Sequence, residues 1–123
     1  MKIKFKATDI ELTPELTTYV KKRIADVEKF VHAKDPESVS AYVELERTTE
    51  HHQAGKIMRA EVNLRVDGAY FRAEFSDEEI YAAIDSVKDE LIRLARSYYS
   101  KQRTLIRKGG VAIKKILRGF YRT

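Results

Sequence analysis

The stretch from Ser76 to about Gln102 most constrains what this chain can fold into, because its pattern predicts one long amphipathic helix. Ser76-Asp77-Glu78-Glu79 reads as a capping box: the serine side chain accepts from a free amide of the first turn, and the glutamate three residues on reaches back. The acidic triplet also suits the positive end of the helix dipole. Ile80, Ile84, Val87, Leu91, Leu94 and Tyr98 then recur at steps of four and three, a stripe aimed at one packing surface. Tyr81, Ile92 and Tyr99, with Lys88 among them, form a second line, so the helix is expected to pack on two neighbours. Arg93 and Arg96 point away from the first line. Such a helix is about 40 Å long, against about 28 Å for a strand of eight or nine residues. Its C-terminal end, which is basic, should therefore overhang any sheet it covers.

The rest of the chain supplies that sheet. Residues 2–8 alternate strictly, with Ile3, Phe5 and Ala7 on one side and Lys2, Lys4 and Lys6 on the other, the mark of a half-buried strand. The lysine row reads first as a solvated face or protected sheet edge, and second as a phosphate contact. Thr13-Pro14-Glu15 starts a helix, and Leu16, Val20, Ile24, Val27 and Val31 form its core stripe. Lys22 and Lys29 lie opposite that stripe with Asp26 between them, and Arg23 sits at its edge. Asp35-Pro36 sets the expected end near Val31 to Ala33. Ser38–Glu46 alternates again, Val39, Ala41, Val43 and Leu45 inward and Tyr42, Glu44 and Glu46 outward. Ile57–Val66 turns Met58, Ala60, Val62, Leu64 and Val66 inward. Asp67-Gly68 is a two-residue hairpin signal. It returns a fourth strand with Phe71, Ala73 and Phe75 on the same face, Leu64 opposite Phe71 and Val62 opposite Ala73.

The predicted class is α+β: β-α-β-β-β-α, a four-stranded sheet with two helices packed on one face, followed by a basic C-terminal extension. The helix after the first strand predicts a crossover that sets this strand parallel to a neighbour. A chain of 123 residues suits one such domain at 1–103, with a basic amphipathic tail at 104–123. With no cysteine there is no disulfide framework or thiolate metal site, and no apolar run approaches a membrane span. No signal peptide is visible, and a cytoplasmic location is expected.

Charge is unevenly spread. Lys101 to Thr123 carries eight of the 24 basic residues and no acid, leaving 16 basic against all 19 acidic residues, net −3, in the first hundred. Polyanion affinity must then come from local patches and the tail. After Gly109-Gly110, Ile113, Ile116, Leu117 and Phe120 recur at helical spacing while Lys114, Lys115, Arg118 and Arg122 take the other side. This segment is too short to hold a helix alone. It is expected to order on an RNA or protein partner, ahead of an anionic membrane surface, or to dock on the body itself.

Catalytic chemistry is absent from the pattern. There is no glycine-rich phosphate loop after a strand, and no Ser/His/acid or Cys/His set; His32, His51 and His52 have no evident role. The adjacent His51-His52 has no third ligand at a recognisable spacing and reads as loop, so no metal and no cofactor are expected. The pairs Asp85/Asp89 and Glu44/Glu46 read as solubility charge.

Asp77-Glu78-Glu79-Ile80-Tyr81-Ala82-Ala83-Ile84-Asp85 resembles the D-x-x-Y-x-A-I-D signature of the ribosome hibernation promoting factor and ribosome-associated inhibitor A family. Leu12-Thr13-Pro14 followed by Val20, Arg23, Glu28 and Lys29 is similar to that family's first helix, and the element order matches across residues 1 to about 103. The likeness is to short members, without the C-terminal domain that pairs ribosomes in long ones. It implies binding to the small ribosomal subunit and 70S ribosome, through 16S rRNA and ribosomal proteins, in the channel of mRNA and the A- and P-site tRNAs. A protein there blocks initiation and keeps idle ribosomes intact under stress, with no small-molecule substrate and as a monomer when free.

The body's candidate RNA-binding residues are Lys22, Arg23 and Lys29 on the first helix and Lys88, Arg93, Arg96, Lys101 and Arg103 on the second. Arg107, Lys108, Lys114, Lys115 and Arg118 continue the set into the tail. Arg23, Lys29, Arg93 and Lys101 coincide with basic positions of the family. Tyr81 and Tyr99 are candidates for base stacking or for core packing. The chain departs from the family's basic pattern at Asp26, Glu90 and Ser97. The tail is expected to compensate, so deleting residues 104–123 should weaken ribosome co-sedimentation at physiological salt; unchanged binding rejects that role. Two other classes stay open. A general RNA-binding or RNA-chaperone module would bind free RNA as tightly as subunits, and a protein-interaction module would bind its partner independently of salt.

Overall fold

The alternating stretches pair into one sheet in the computed structural model, which describes residues 1–49 and 56–107. The elements are β1 (Lys2–Thr8), α1 (Pro14–Glu28), β2 (Ser40–Thr49), β3 (Lys56–Val66), β4 (Ala69–Asp77) and α2 (Ile80–Arg107), with a short 3₁₀ turn at Pro36–Ser38. The sheet order is β1-β2-β3-β4. β1 lies parallel to β2, as the crossover through α1 requires, and the remaining pairs are antiparallel. His51, His52 and the basic residues from Lys108 onward, including Lys114, Lys115 and Arg118, lie outside the described residues.

Both helices cover one face of the sheet. Val20, Ile24 and Val27 of α1 meet Ile84, Val87 and Leu91 of α2 over Val43, Leu45, Ala60 and Val62. Leu45, Leu64 and Leu91 are among the largest fully buried side chains, each worth about 1.5–3 kcal/mol of transfer free energy. The hairpin signal is realised at Asp67, whose φ of 53° is the positive value a tight turn between twisted strands requires. Leu64 then faces Phe71 and Val62 faces Ala73, the register that turns their apolar side chains to one side.

The first helix opens where expected. Thr13 caps it, its hydroxyl accepting from the Leu16 amide at 3.2 Å, and Pro14 fills the first turn. It closes at Glu28, earlier than Val31–Ala33. The amides of Phe30 and Val31 donate to Val27 and Glu28 at 2.9 and 3.3 Å. These three-residue bonds tighten the chain into a turn well before Asp35-Pro36.

Several boundaries differ from the sequence pattern. β2 begins at Ser40 rather than Ser38 and continues past Glu46 to Thr49. α2 starts at Ile80 rather than Ser76 and runs to Arg107. Ser76 and Asp77 are still paired with Arg59 and Met58, which excludes a capping box there. Instead the Asp77 carboxylate accepts from the Glu79 amide at 3.0 Å, and the Glu79 carbonyl accepts the first helical bond from Ala83. Phe75, expected in the core, is 39% exposed; it lies near the end of edge strand β4, where the chain leaves the sheet for α2.

Candidate nucleic-acid interface

The structure brings Lys29, Arg96 and Arg103 of the basic candidates to one concavity and leaves the others in different states along the helices. Arg23 ties α1 to α2. Its guanidinium donates to the Asp85 carboxylate at 3.0 Å and lies 4.5 Å from the Tyr19 ring, while the Tyr19 hydroxyl donates to the same carboxylate at 2.6 Å. Hydrogen bonding with Tyr19, then with Asp85, holds Arg23 above its ordinary pKa. Tyr81 packs edge-on to Tyr19 at 4.8 Å and remains 40% exposed. Asp85 is thus a link between helices and not free surface charge.

The two acidic departures, Asp26 and Glu90, each hold expected contact residues. Asp26 sits between Arg23 at 3.6 Å and Lys29 at 3.5 Å, one helical turn either side. Glu90 takes Arg93 in a two-point contact at 2.5 and 2.9 Å. Arg93 holds the Glu90 carboxyl below the usual carboxylate range, and Glu90 raises Arg93 in turn. Lys88 lies 3.0 Å from Asp89. All are exposed or half-exposed pairs that add little stability, but each lowers the positive potential offered to a ligand.

Arg96 and Arg103 are differently placed. With Lys29, His32 and Tyr99 they line an open concavity of about 500 Å³ between the end of α1 and the last turns of α2. Arg96 lies 5.9 Å from the Phe30 ring, and His32 packs edge-on to Tyr99 at 4.5 Å. Among the described residues no carboxylate pairs with Arg96 or Arg103. Arg103 lies seven residues beyond Arg96, two turns along one face, about 10 Å. This is a spacing at which a phosphate chain can be gripped twice. Lys22 is exposed on α1, Lys101 lies on the exposed side of α2, and Arg107 closes that helix.

His32 and Phe30 are not singled out by pattern; their only signal is position, within one turn of the end of α1. Tyr99 packs half-buried against Phe71 and Tyr98 and also lines the concavity. Among the described residues no group of His, Cys, Asp and Glu is arranged to hold a metal ion, and no helix is long and apolar enough to cross a membrane. What the surface offers is hydrogen-bond donors, positive charge and aromatic rings, the equipment for phosphates and bases.

A four-stranded mixed sheet with two helices on one face, in the order β-α-β-β-β-α, defines a class of small α+β domains. The chain belongs to the Sigma 54 modulation protein / S30EA ribosomal protein family, whose model matches residues 3–103. It is 30% identical over 101 residues to a ribosome hibernation promotion factor of Lactococcus lactis, covering 82% of this chain and 51% of the relative. It is 26% identical over 106 residues to a ribosome hibernation promoting factor of Pseudomonas putida, covering 86% of this chain and 94% of the relative. The chain spans about half the length of the Lactococcus lactis relative and of a Deinococcus radiodurans one. Among solved structures, the Protein Y N-terminal domain of Thermus thermophilus superposes with a TM-score of 0.64 at 28% identity, over 80% of this chain and 99% of that one.

Proposed function

We propose that this chain is a ribosome hibernation factor of the cytoplasm, a binding protein and not a catalyst. It docks on the small ribosomal subunit, in the channel for mRNA and the A- and P-site tRNAs, and keeps idle ribosomes intact. The names of its relatives support the role. The observation that carries the docking surface is the convergence of Lys29, Arg96 and Arg103 on one rigid concavity, with Arg96 and Arg103 facing no acid among the described residues. Phosphate contacts there supply salt-dependent affinity, and the shape of the RNA cleft supplies the choice of site. Lys22, Arg23, Lys88, Arg93 and Lys101 extend the surface along the helices, and Arg107, Lys108, Lys114, Lys115 and Arg118 continue it in sequence.

Sedimentation with purified ribosomes across a salt series tests this reading. Co-sedimentation that weakens steeply with salt is expected, and protein left at the top of the gradient at every ionic strength rejects it. The acidic pairs yield a sharper expectation. Asp26→Asn with Glu90→Gln frees Lys29 and Arg93 without touching the core, and should tighten ribosome binding by about three- to tenfold while steepening its salt dependence. Unchanged affinity would mean that those two cations lie off the RNA.

A further inference from the structure

The sheet face that carries no helix is divided into two electrostatic halves. Strand register arranges its outward residues in rows. Lys2, Ser40, Arg65 and Tyr70 form the first, Lys4, Tyr42, Asn63 and Arg72 the second, and Lys6, Glu44, Glu61 and Glu74 the third. Thr8, Glu46, Arg59 and Ser76 form the fourth. Every carboxylate of these rows lies in the third and fourth. Arg72 leans toward them, bonding Glu61 at 3.2 Å and Glu74 at 2.9 Å. Lys2, Lys4 and Arg65 have no acidic partner among the described residues.

Between these cations stand two large aromatic rings. Tyr42 is 44% exposed and Tyr70 42% exposed, on a surface that no element of the described fold covers. Tyr70 is fixed in place: its hydroxyl donates to the Asn63 side chain, and the Arg65 guanidinium lies 5.8 Å from its ring. Asn63 is held in turn by Glu61 at 2.9 Å. Both tyrosines line an open concavity of about 450 Å³ together with Lys2, Lys4, Asn63 and Arg65. That volume falls in the usual range of small-ligand sites, roughly 300–1,000 Å³, and is far too small for a duplex.

We infer that this half of the open sheet face is a second RNA-binding site, specific for single-stranded RNA. Bases stack on Tyr42 and Tyr70, and the backbone phosphates are met by Lys2, Lys4 and Arg65. Rings surrounded by cations suit a strand whose bases are accessible. A duplex keeps its base faces inside the stack and has nothing to give a tyrosine. The site lies on the opposite side of the sheet from the groove at the ends of α1 and α2, so one molecule can hold structural RNA on one face and an unpaired strand on the other.

The test is binding of a fluorescein-labelled octauridylate to the full chain, with photo-crosslinking from one 4-thiouridine. Tyr42→Ala and Tyr70→Ala should each weaken binding by about tenfold, while Tyr42→Phe and Tyr70→Phe stay within about twofold, because stacking and not the hydroxyl holds the base. Crosslinks should fall on the strands bearing Tyr42 and Tyr70, and should persist in an Arg96→Glu/Arg103→Glu protein. Thermal melts verify that these exposed substitutions leave the fold intact. Alanine variants that bind like the parent, with crosslinks confined to the helices or the C-terminal residues, overturn the proposal. So does a surface that takes polyglutamate in preference to the oligonucleotide. Failure here is separable from failure of the hibernation reading, which is measured on ribosomes with the helix variants.

Discussion

Replacing Arg96 and Arg103 together by glutamate is expected to cost the protein about a hundredfold in ribosome affinity at physiological salt, and to reduce the salt slope by about two contacts. The two residues lie two turns apart on one face of α2, line one concavity with Lys29, and face no carboxylate among the described residues. Reversal does more than remove two cations, because it sets two negative charges against the phosphates. The fold should survive, since both side chains are exposed. The packing of Arg96 against the Phe30 ring disappears with the substitution, at a cost of about 0.5–1 kcal/mol. Reversing Arg93 should do less, because Glu90 already neutralises it. Sedimentation across a salt series measures the effect; affinity within about threefold of the parent would remove this groove from the ribosome contact.

The largest stability effect is expected at Arg59→Leu. Arg59 stands on central strand β3 and reaches four carboxylates: Glu44 at 3.6 Å, Glu46 at 2.9 Å, Glu61 at 2.9 Å and Glu74 at 3.5 Å. Its side chain is 19% exposed and that of Glu61 13%. Removing it leaves like charges facing one another across three strands. A loss of about 2–4 kcal/mol follows, near the lower end of the cost of breaking a buried pair, and a fall in Tm of about 10 °C or more.

The pH dependence separates this cause from simple loss of packing. Hydrogen bonds from Arg72, then Asn63 and Arg59, hold the Glu61 carboxyl down to about 2, against an ordinary 4.5. The folded pKa is depressed, so this contribution is complete above about 4.5 and is lost as pH falls toward 2. The parent should therefore lose stability through that window. The Arg59→Leu penalty should shrink through the same window, because protonated glutamic acids no longer repel. A penalty that stays constant in thermal melts from neutral pH down to about 3 would place the cost in packing instead.

Much of the fold can be read from the chain because the signals are local. Thr13-Pro14 names its own helix start, Asp67-Gly68 its own turn, and a period of two says which strand residues face inward. The start of α2 misleads for an instructive reason. Ser76 has the composition of a cap, but it is spoken for by Arg59 across the sheet, and a cross-strand partner leaves no trace in neighbouring residues. Phe75 keeps the inward phase yet lies beyond the cover of the helices. The same limit governs the site. Arg96 and Arg103 are recognisable as basic and outward, whereas their lack of acids, and the quenching of Arg23, Lys29 and Arg93 by Asp26, Asp85 and Glu90, depend on rotamers and helix contacts. The carboxylates of Glu44 and Glu46 look like solubility charge until Arg59 comes between them from another strand.

The pairing of cations with acids along the helices also bears on how an encounter begins. At cellular ionic strength a charge is felt over about 8 Å, so from farther away neutralised pairs such as Glu90 with Arg93 present almost no field. The first hundred residues, at net −3, give a distant polyanion no reason to approach, while the final 23 carry eight cations and no acid. On the proposed reading, attraction at a distance would fall to the end of the chain, and discrimination at contact to the folded body. A partner drawn in by the former would then be retained only if its surface fits the latter.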